Sequence, residues 1–285
     1  MTKKIGRFIG LGNWVNGVAF EFFSMLMICN LYPFGFKKEK DPPLLTHDNS
    51  RRPILLIHGI FHNHSAFFKM KKRLIKYGWN KIYTINLATY SQSIEDLAVL
   101  TEKKVDAILE QNPKGNPRVG KVDIIAHSLG GIIARYYIQI LSGHQKVKHC
   151  VTLGTPHQGT LLSNLGIGKS IQELRATSGL IKKLNSKPLP KSVSFTSFWS
   201  PFDTMVWPPR YSQIRHDVKT DSHVQNIQIT DAGHAGLLFS KEVFYKIATI
   251  LDGEQRYPTV IERKERRKSF LGRLAPRLSR SSLIS

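Results

Sequence analysis

The stretch Val122-Asp123-Ile124-Ile125-Ala126-His127-Ser128-Leu129-Gly130-Gly131-Ile132-Ile133-Ala134-Arg135 constrains this chain more than any other. Its first part is an Ile/Val-rich run of the kind that is buried on both faces of a parallel sheet. The run stops at small-x-Ser-x-Gly, and a helix-forming apolar run continues from Ile132 to Leu141. Strand, tight turn and helix around a serine push the hydroxyl out at the edge of a sheet. The residues two before and two after the serine must be small because strand and helix backbones nearly touch there, and Ala126 and Gly130 meet that need. The helix that starts after Ser128 also aims N–H groups at the turn, which favours negative charge.

Other runs give the same rhythm. Pro53 to Ile57, ending in His58-Gly59, is an unbroken apolar stretch that predicts a central strand, followed by a basic amphipathic helix over Ser65 to Tyr77. Lys81 to Leu87 and Val147 to Leu153 predict strands, with a helix over Ser93 to Gln111 that stops at Asn112-Pro113. Val193 to Phe198 and Val224 to Ile229 predict later strands, and Ser240 caps a closing helix to about Leu251. Strands alternating with helices imply an α/β fold with a mostly parallel central sheet and helices on both faces. Leu161 to Pro190 breaks that rhythm and predicts an inserted helical cap, with a capping box from Ser170 to Glu173 and a helix stop at Gly179.

The ends differ from the middle. Lys3, Lys4 and Arg7 precede an apolar run from Trp14 to Phe36, with no small-x-small cleavage site after it. This predicts an uncleaved membrane-associating segment over residues 1–36. A spanning helix needs roughly 20 mostly apolar residues, but Glu21 interrupts the run. Asn13, Gly17, Glu21 and Ser24 share one helical side, so a helix lying in the interface or packed on the α/β domain also fits. Residues 37–50 are expected to form a polar linker, 51–252 the main α/β domain with the cap over about 160–190, and 253–285 a basic flexible tail. Net charge is +22, from 42 Lys and Arg against 20 Asp and Glu. Such a chain is drawn to anionic surfaces. The tail carries no nucleic-acid-binding motif, so a membrane surface is expected as partner and nucleic acid is not. Two cysteines, Cys29 and Cys150, give no disulfide framework.

A serine hydroxyl is a weak nucleophile at neutral pH. It needs a base, an acid to orient that base, and N–H donors for the oxyanion. Ser128 is the expected nucleophile. His234, in Gly233-His234-Ala235 after a late strand, is the expected base, ahead of His127 and His157. His127 is expected to point to the opposite side of the turn. Asp203, behind the Val193 to Phe198 strand, is the expected acid, with Asp217, Asp221 and Asp231 as alternatives. The oxyanion donors are expected to be the N–H groups of Leu129 and of Ile60, with Phe61 the alternative to Ile60. His58, His62 and His64 have no carboxylate or cysteine at ligand spacing beside them, so no metal is expected, and no glycine pattern calls for a cofactor.

Ile57-His58-Gly59-Ile60, Ala126-His127-Ser128-Leu129-Gly130-Gly131, Leu153-Gly154-Thr155-Pro156-His157-Gln158-Gly159-Thr160, Asp203-Thr204-Met205-Val206 and Gly233-His234 stand in the order of the motifs of α/β-hydrolase fold lipases. The chain resembles bacterial triacylglycerol lipases and esterases over about residues 51 to 252. Ala126 departs from the usual first glycine, as it does in some of them. The resemblance implies cleavage of carboxylic esters, lipid esters included, through an acyl-enzyme on Ser128. The same three residues could instead transfer the acyl group to an alcohol. A membrane or anionic-surface binding protein with an inactive hydrolase domain is the reading from another class. Acyl-chain length and oligomeric state are beyond the sequence.

Overall fold

The computed structural model describes residues 11–37, 41–42, 51–112 and 120–253. The basic residues before Leu11, most of the linker and the tail after Gly253 lie outside the described residues. The chain divides into two units, Met1–Phe244 and Tyr245–Ser285.

Helix α1 (Leu11–Leu31) runs into a 3-10 turn over Tyr32–Phe36, where Pro33 sits in the first turn and leaves the backbone in a tighter coil. Then come β1 (Ile54–Ile57), α2 (Phe68–Lys76), β2 (Ile82–Ile85), α3 (Ile94–Gln111), β3 (Val122–His127), α4 (Leu129–Ile140) and β4 (Val147–Leu153). After the short helices α5 (Lys169–Glu173) and α6 (Gly179–Ser186) come β5 (Ser194–Trp199), β6 (Val224–Gln228) and α7 (Lys241–Asp252). The last turns of α7 belong to the second unit, where Thr249 Oγ1 donates to Tyr245 O at 3.1 Å.

The six strands pair in the order β2-β1-β3-β4-β5-β6, all parallel. The chain steps outward from β1 to β2 and then returns to lay β3 on the other side of β1. That reversal opens a crevice at the carboxyl ends of β1 and β3, where open α/β sheets bind ligands. Every residue of β1 and β3 is buried, which explains the unbroken apolar run of β1 and the Ile124-Ile125-Ala126 stretch of β3. Covering a Leu or Ile side chain stabilises the fold by about 1.5–3 kcal/mol, and Leu55, Ile57, Ile124, Ala126, Ile132 and Ile133 lie in one fully buried cluster.

Two local expectations for the insertion between β4 and β5 are corrected. Ser170 and Glu173 form no capping box. Ser170 lies inside α5, its hydroxyl bonds Thr89 O, and the Glu173 carboxylate accepts from the N–H of Ile94 at 2.7 Å. Glu173 thus satisfies an open donor at the start of α3, which Ser93 and Asp96 also cap reciprocally. Gly179 starts α6 rather than ending a helix, because Ser178 takes the N-cap and accepts from Ile181 N.

Candidate active site

Ser128 closes β3 at φ 54° and ψ −126°. Such a conformation in a residue with a Cβ costs on the order of 1–3 kcal/mol and persists only where the surroundings dictate it. Several contacts do so. Ser128 N donates to Leu153 O at 2.9 Å, and Ser128 O accepts from Thr155 Oγ1 at 2.9 Å and from Gly131 N at 3.0 Å. Ile57 of β1 pairs with Ala126. A Cβ at Gly130 would stand 2.5 Å from Ile57 O, so only glycine admits this approach of helix to strand.

Asp203 sits in the turn after β5, buried. One oxygen, Oδ1, accepts the N–H groups of Met205 (2.9 Å) and Val206 (2.8 Å). The other, Oδ2, meets His234 Nδ1 at 2.9 Å. A carboxylate facing Nδ1 fixes the proton there and leaves Nε2 as the basic nitrogen. His234 is only 5% exposed. Burial works to lower its pKa, but the Asp203 charge, the hydrogen bond and the Glu21 charge outweigh it, and the net direction is upward from 6.5. Gly154, at φ +55°, follows Leu153, the acceptor of the Ser128 N–H. A Cβ there would lie 2.9 Å from His234 Nδ1 and 3.1 Å from Asp203 Oδ2. The end of β4 therefore touches the serine turn through Leu153 and the Asp–His pair through Gly154.

His127, expected to point to the opposite side of the turn, packs against the loop of His234. Its ring lies 4.7 Å from that of His234, and its Nε2–H donates to His234 O at 3.1 Å. Burial pushes its pKa well below 6.5, so it stays neutral. His157 is buried elsewhere, between Thr152 Oγ1 (2.9 Å) and Arg135. His58 orders the loop after β1. Its Nδ1–H donates to Gly59 O at 2.8 Å and its Nε2 accepts from Leu87 N at 2.9 Å, with burial lowering its pKa to about 4. In that loop Gly59 lies behind the serine, where a Cβ would come within 2.9 Å of Ser128 Cβ. Ile60 follows, and Phe61 turns through φ 52°. Leu129, the first residue of α4, has no preceding helical turn to take its N–H. Exposed apolar side chains are carried by the loop after β1 (Phe61, whose ring lies 6.0 Å from that of Tyr90), by the insertion (Leu162, Leu165) and by the Asp203 turn (Met205, Trp207). Leu161 N–Trp207 O and Trp207 N–Thr160 Oγ1, both 2.9 Å, tie these two segments together.

A parallel sheet with a strained serine at its switch point and a buried Asp–His pair at the same edge defines an α/β-hydrolase of the lipase, esterase and thioesterase kind. The chain belongs to the palmitoyl protein thioesterase family, whose model matches residues 53–201. Solved structures give the same fold. The mature lipase BlEst2 of Bacillus licheniformis is 18% identical, with a TM-score of 0.58 over 73% of this chain and 95% of that one. The lin2722 gene product of Listeria innocua is 14% identical, with a TM-score of 0.53 over 74% and 96%. The metagenome-derived lipolytic enzymes LipS and LipT provide a match at 11% identity and a TM-score of 0.52 over 71% and 94%.

Proposed function

We propose that the protein cleaves long-chain acyl esters at a lipid surface through an acyl-enzyme on Ser128. The observation that carries this reading is the buried Asp203–His234 contact of 2.9 Å at the sheet edge that holds Ser128 in its strained turn. In this reading Ser128 Oγ attacks the ester carbonyl as its proton passes to His234 Nε2. Asp203 holds the imidazolium. The N–H groups of Ile60 and Leu129 receive the oxyanion, each worth ~10²–10³ in rate. The tetrahedral adduct collapses, and the alcohol leaves with the proton from His234. Water then attacks the acyl-serine by the same steps and frees the acid. The exposed apolar side chains of the loop after β1 and of the Asp203 turn suit the acyl chain. A thioester is the second reading, favoured by the family description; the attack is unchanged and a thiol leaves in place of the alcohol.

The lipid surface is read from α1. Gly17, Glu21 and Ser24 are buried, whereas Val18, Phe22, Phe23, Met25 and Leu26 are exposed, Phe22 by 68%. A helix that docks its polar side and leaves its apolar side outward suits a bilayer rather than water. Residues Gly17–Phe36 are long and apolar enough, by length and composition, to cross a membrane. The docking of Glu21 instead supports a helix lying along the surface, with the charge of +22 adding attraction to anionic lipid.

The test presents a long-chain ester and its thioester in anionic vesicles, beside a short water-soluble ester. The Phe22→Ser/Phe23→Ser double variant is expected to lose about tenfold or more on vesicles, from the apolar area it removes, and to keep its rate on the soluble ester. Ser128→Ala is expected to lose both. Equal vesicle rates for the double variant and wild type would remove the lipid surface from the reading.

A further inference from the structure

The inward side of α1 places one acid against the histidine loop. Glu21 is 6% exposed, and its carboxylate accepts from Ala235 N at 2.9 Å through Oε1 and from Gly236 N at 2.8 Å through Oε2. These N–H groups open the short 3-10 turn Gly236–Leu238. On the other side of His234, a Cβ at Gly233 would stand 2.6 Å from the Glu21 carboxyl carbon, so the acid lies flat against the loop. Hydrogen bonds from backbone N–H to a carboxylate are among the stronger ones a protein makes.

His234 is thereby held at three points. Asp203 faces Nδ1, His127 donates to the carbonyl, and Glu21 grips the next two N–H groups. The contacts come from the β5 end, the β3 end and α1. The loop itself, Asp231 to Ala235, lies outside the regular elements, so nothing within it dictates where the imidazole points. A misplacement of about 1 Å in such a site can cost ~10² in rate.

We infer that Glu21 is a positioning residue for His234, a brace from the N-terminal helix that fixes the backbone of the loop on which the imidazole is carried. It touches no reacting atom. The inference rests on the hydrolase reading above and adds that α1 is a working part of the site. The acid and base groups facing one another here are Glu21, Asp203, His234 and His127. Burial raises the pKa of Glu21, against the pull of the two N–H groups and His234, while its charge adds to the upward pull on His234.

The experiment uses the full-length protein with Glu21→Gln and Glu21→Ala. Active sites are counted in each sample by titration with a fluorophosphonate, and rates are measured on a short soluble ester. Glu21→Gln keeps the shape and one acceptor, and is expected to lose about tenfold in kcat per titrated site. Glu21→Ala is expected to lose about a hundredfold. KM should stay within about twofold, because the substrate pocket is not touched. The acid limb of the pH–rate profile should move to lower pH in both variants, since a negative charge beside the base is gone. A merely structural role would lower Tm and the number of titrated sites while leaving kcat per site and the acid limb at wild-type values, and that result overturns the inference. Should Glu21→Ala fail to fold, the per-site figures for Glu21→Gln decide alone. Ser128→Ala separates the two readings. If it keeps wild-type turnover, the hydrolase reading falls; if it is inactive while both Glu21 variants behave as wild type per site, only the role of Glu21 falls.

Discussion

Two aspartate–histidine pairs lie toward opposite ends of the same sheet at the same 2.9 Å separation. Asp123 and His149 face each other across β3 and β4 near their starts. Asp203 and His234 meet past the ends of β5 and β6. The first pair shares its carboxylate with Arg52, whose Nε lies 3.0 Å from Asp123 Oδ1 and 3.1 Å from Oδ2. Among the described residues the second shares its carboxylate with backbone N–H groups alone, which suits the proposed part of Asp203 in orienting one imidazole. The His234 ring also packs on His127, the residue before the strained Ser128. Distance alone therefore does not make a site. What separates the pairs is the end of the sheet they occupy, where helix N-termini and loop N–H groups converge and where the crossover from β1 to β3 opens a crevice.

The comparison can be broken by making the same change in both pairs. Asp203→Asn is expected to reduce kcat on a soluble ester by about 10⁴, as the imidazole is left in the wrong tautomer, with a small change in Tm. Asp123→Asn should leave kcat within a few-fold. It should lower stability by about 1–3 kcal/mol, because a buried ion-paired acceptor is replaced beside Arg52; urea unfolding of both variants checks this. Comparable losses of activity would mean that the two ends of the sheet are not functionally different. A finer distinction comes from pH. In the proposed mechanism the base must be neutral to accept the serine proton, and the surroundings of His234 raise its pKa above 6.5. Activity should accordingly be half-lost at a pH above 6.5 on the acid side. Asp203→Asn, which takes away the largest upward influence on a buried imidazole, should shift that limb downward in whatever activity remains.

The architecture was legible because each β–α unit announces itself locally. The central strand β1 is an unbroken apolar run, and Ser128 stands where the Ile-rich β3 meets a small-residue turn. The closing helix follows Ser240, whose hydroxyl accepts from Val243 N. Illegible were features set by contacts far apart in sequence. Glu173 looks like half of a capping box four residues long, yet it serves Ile94, 79 residues away. Gly179 reads as a stop because glycine so often follows helices, but Ser178 before it supplies the cap. The packing of His127 on the His234 loop was not legible, because alternation along a strand says which face a side chain leaves by, not which loop folds back onto it. Glu21 stood out as an acid in an apolar run and shared a helical side with Gly17 and Ser24. That the same side would meet the loop of His234, 213 positions on, is a tertiary fact, and its one sequence signal was a charge where lipid-facing helices avoid one.

The central claim, that Ser128 is the nucleophile activated by His234, is tested most directly by reacting the full-length protein with a fluorophosphonate and locating the adduct by mass spectrometry. One phosphonyl group per chain on Ser128 is expected, with loss of esterase activity in step with labelling and no labelling in His234→Ala at the same exposure. An unlabelled, fully active protein, or an adduct on another serine that alone tracks the lost activity, would contradict the account.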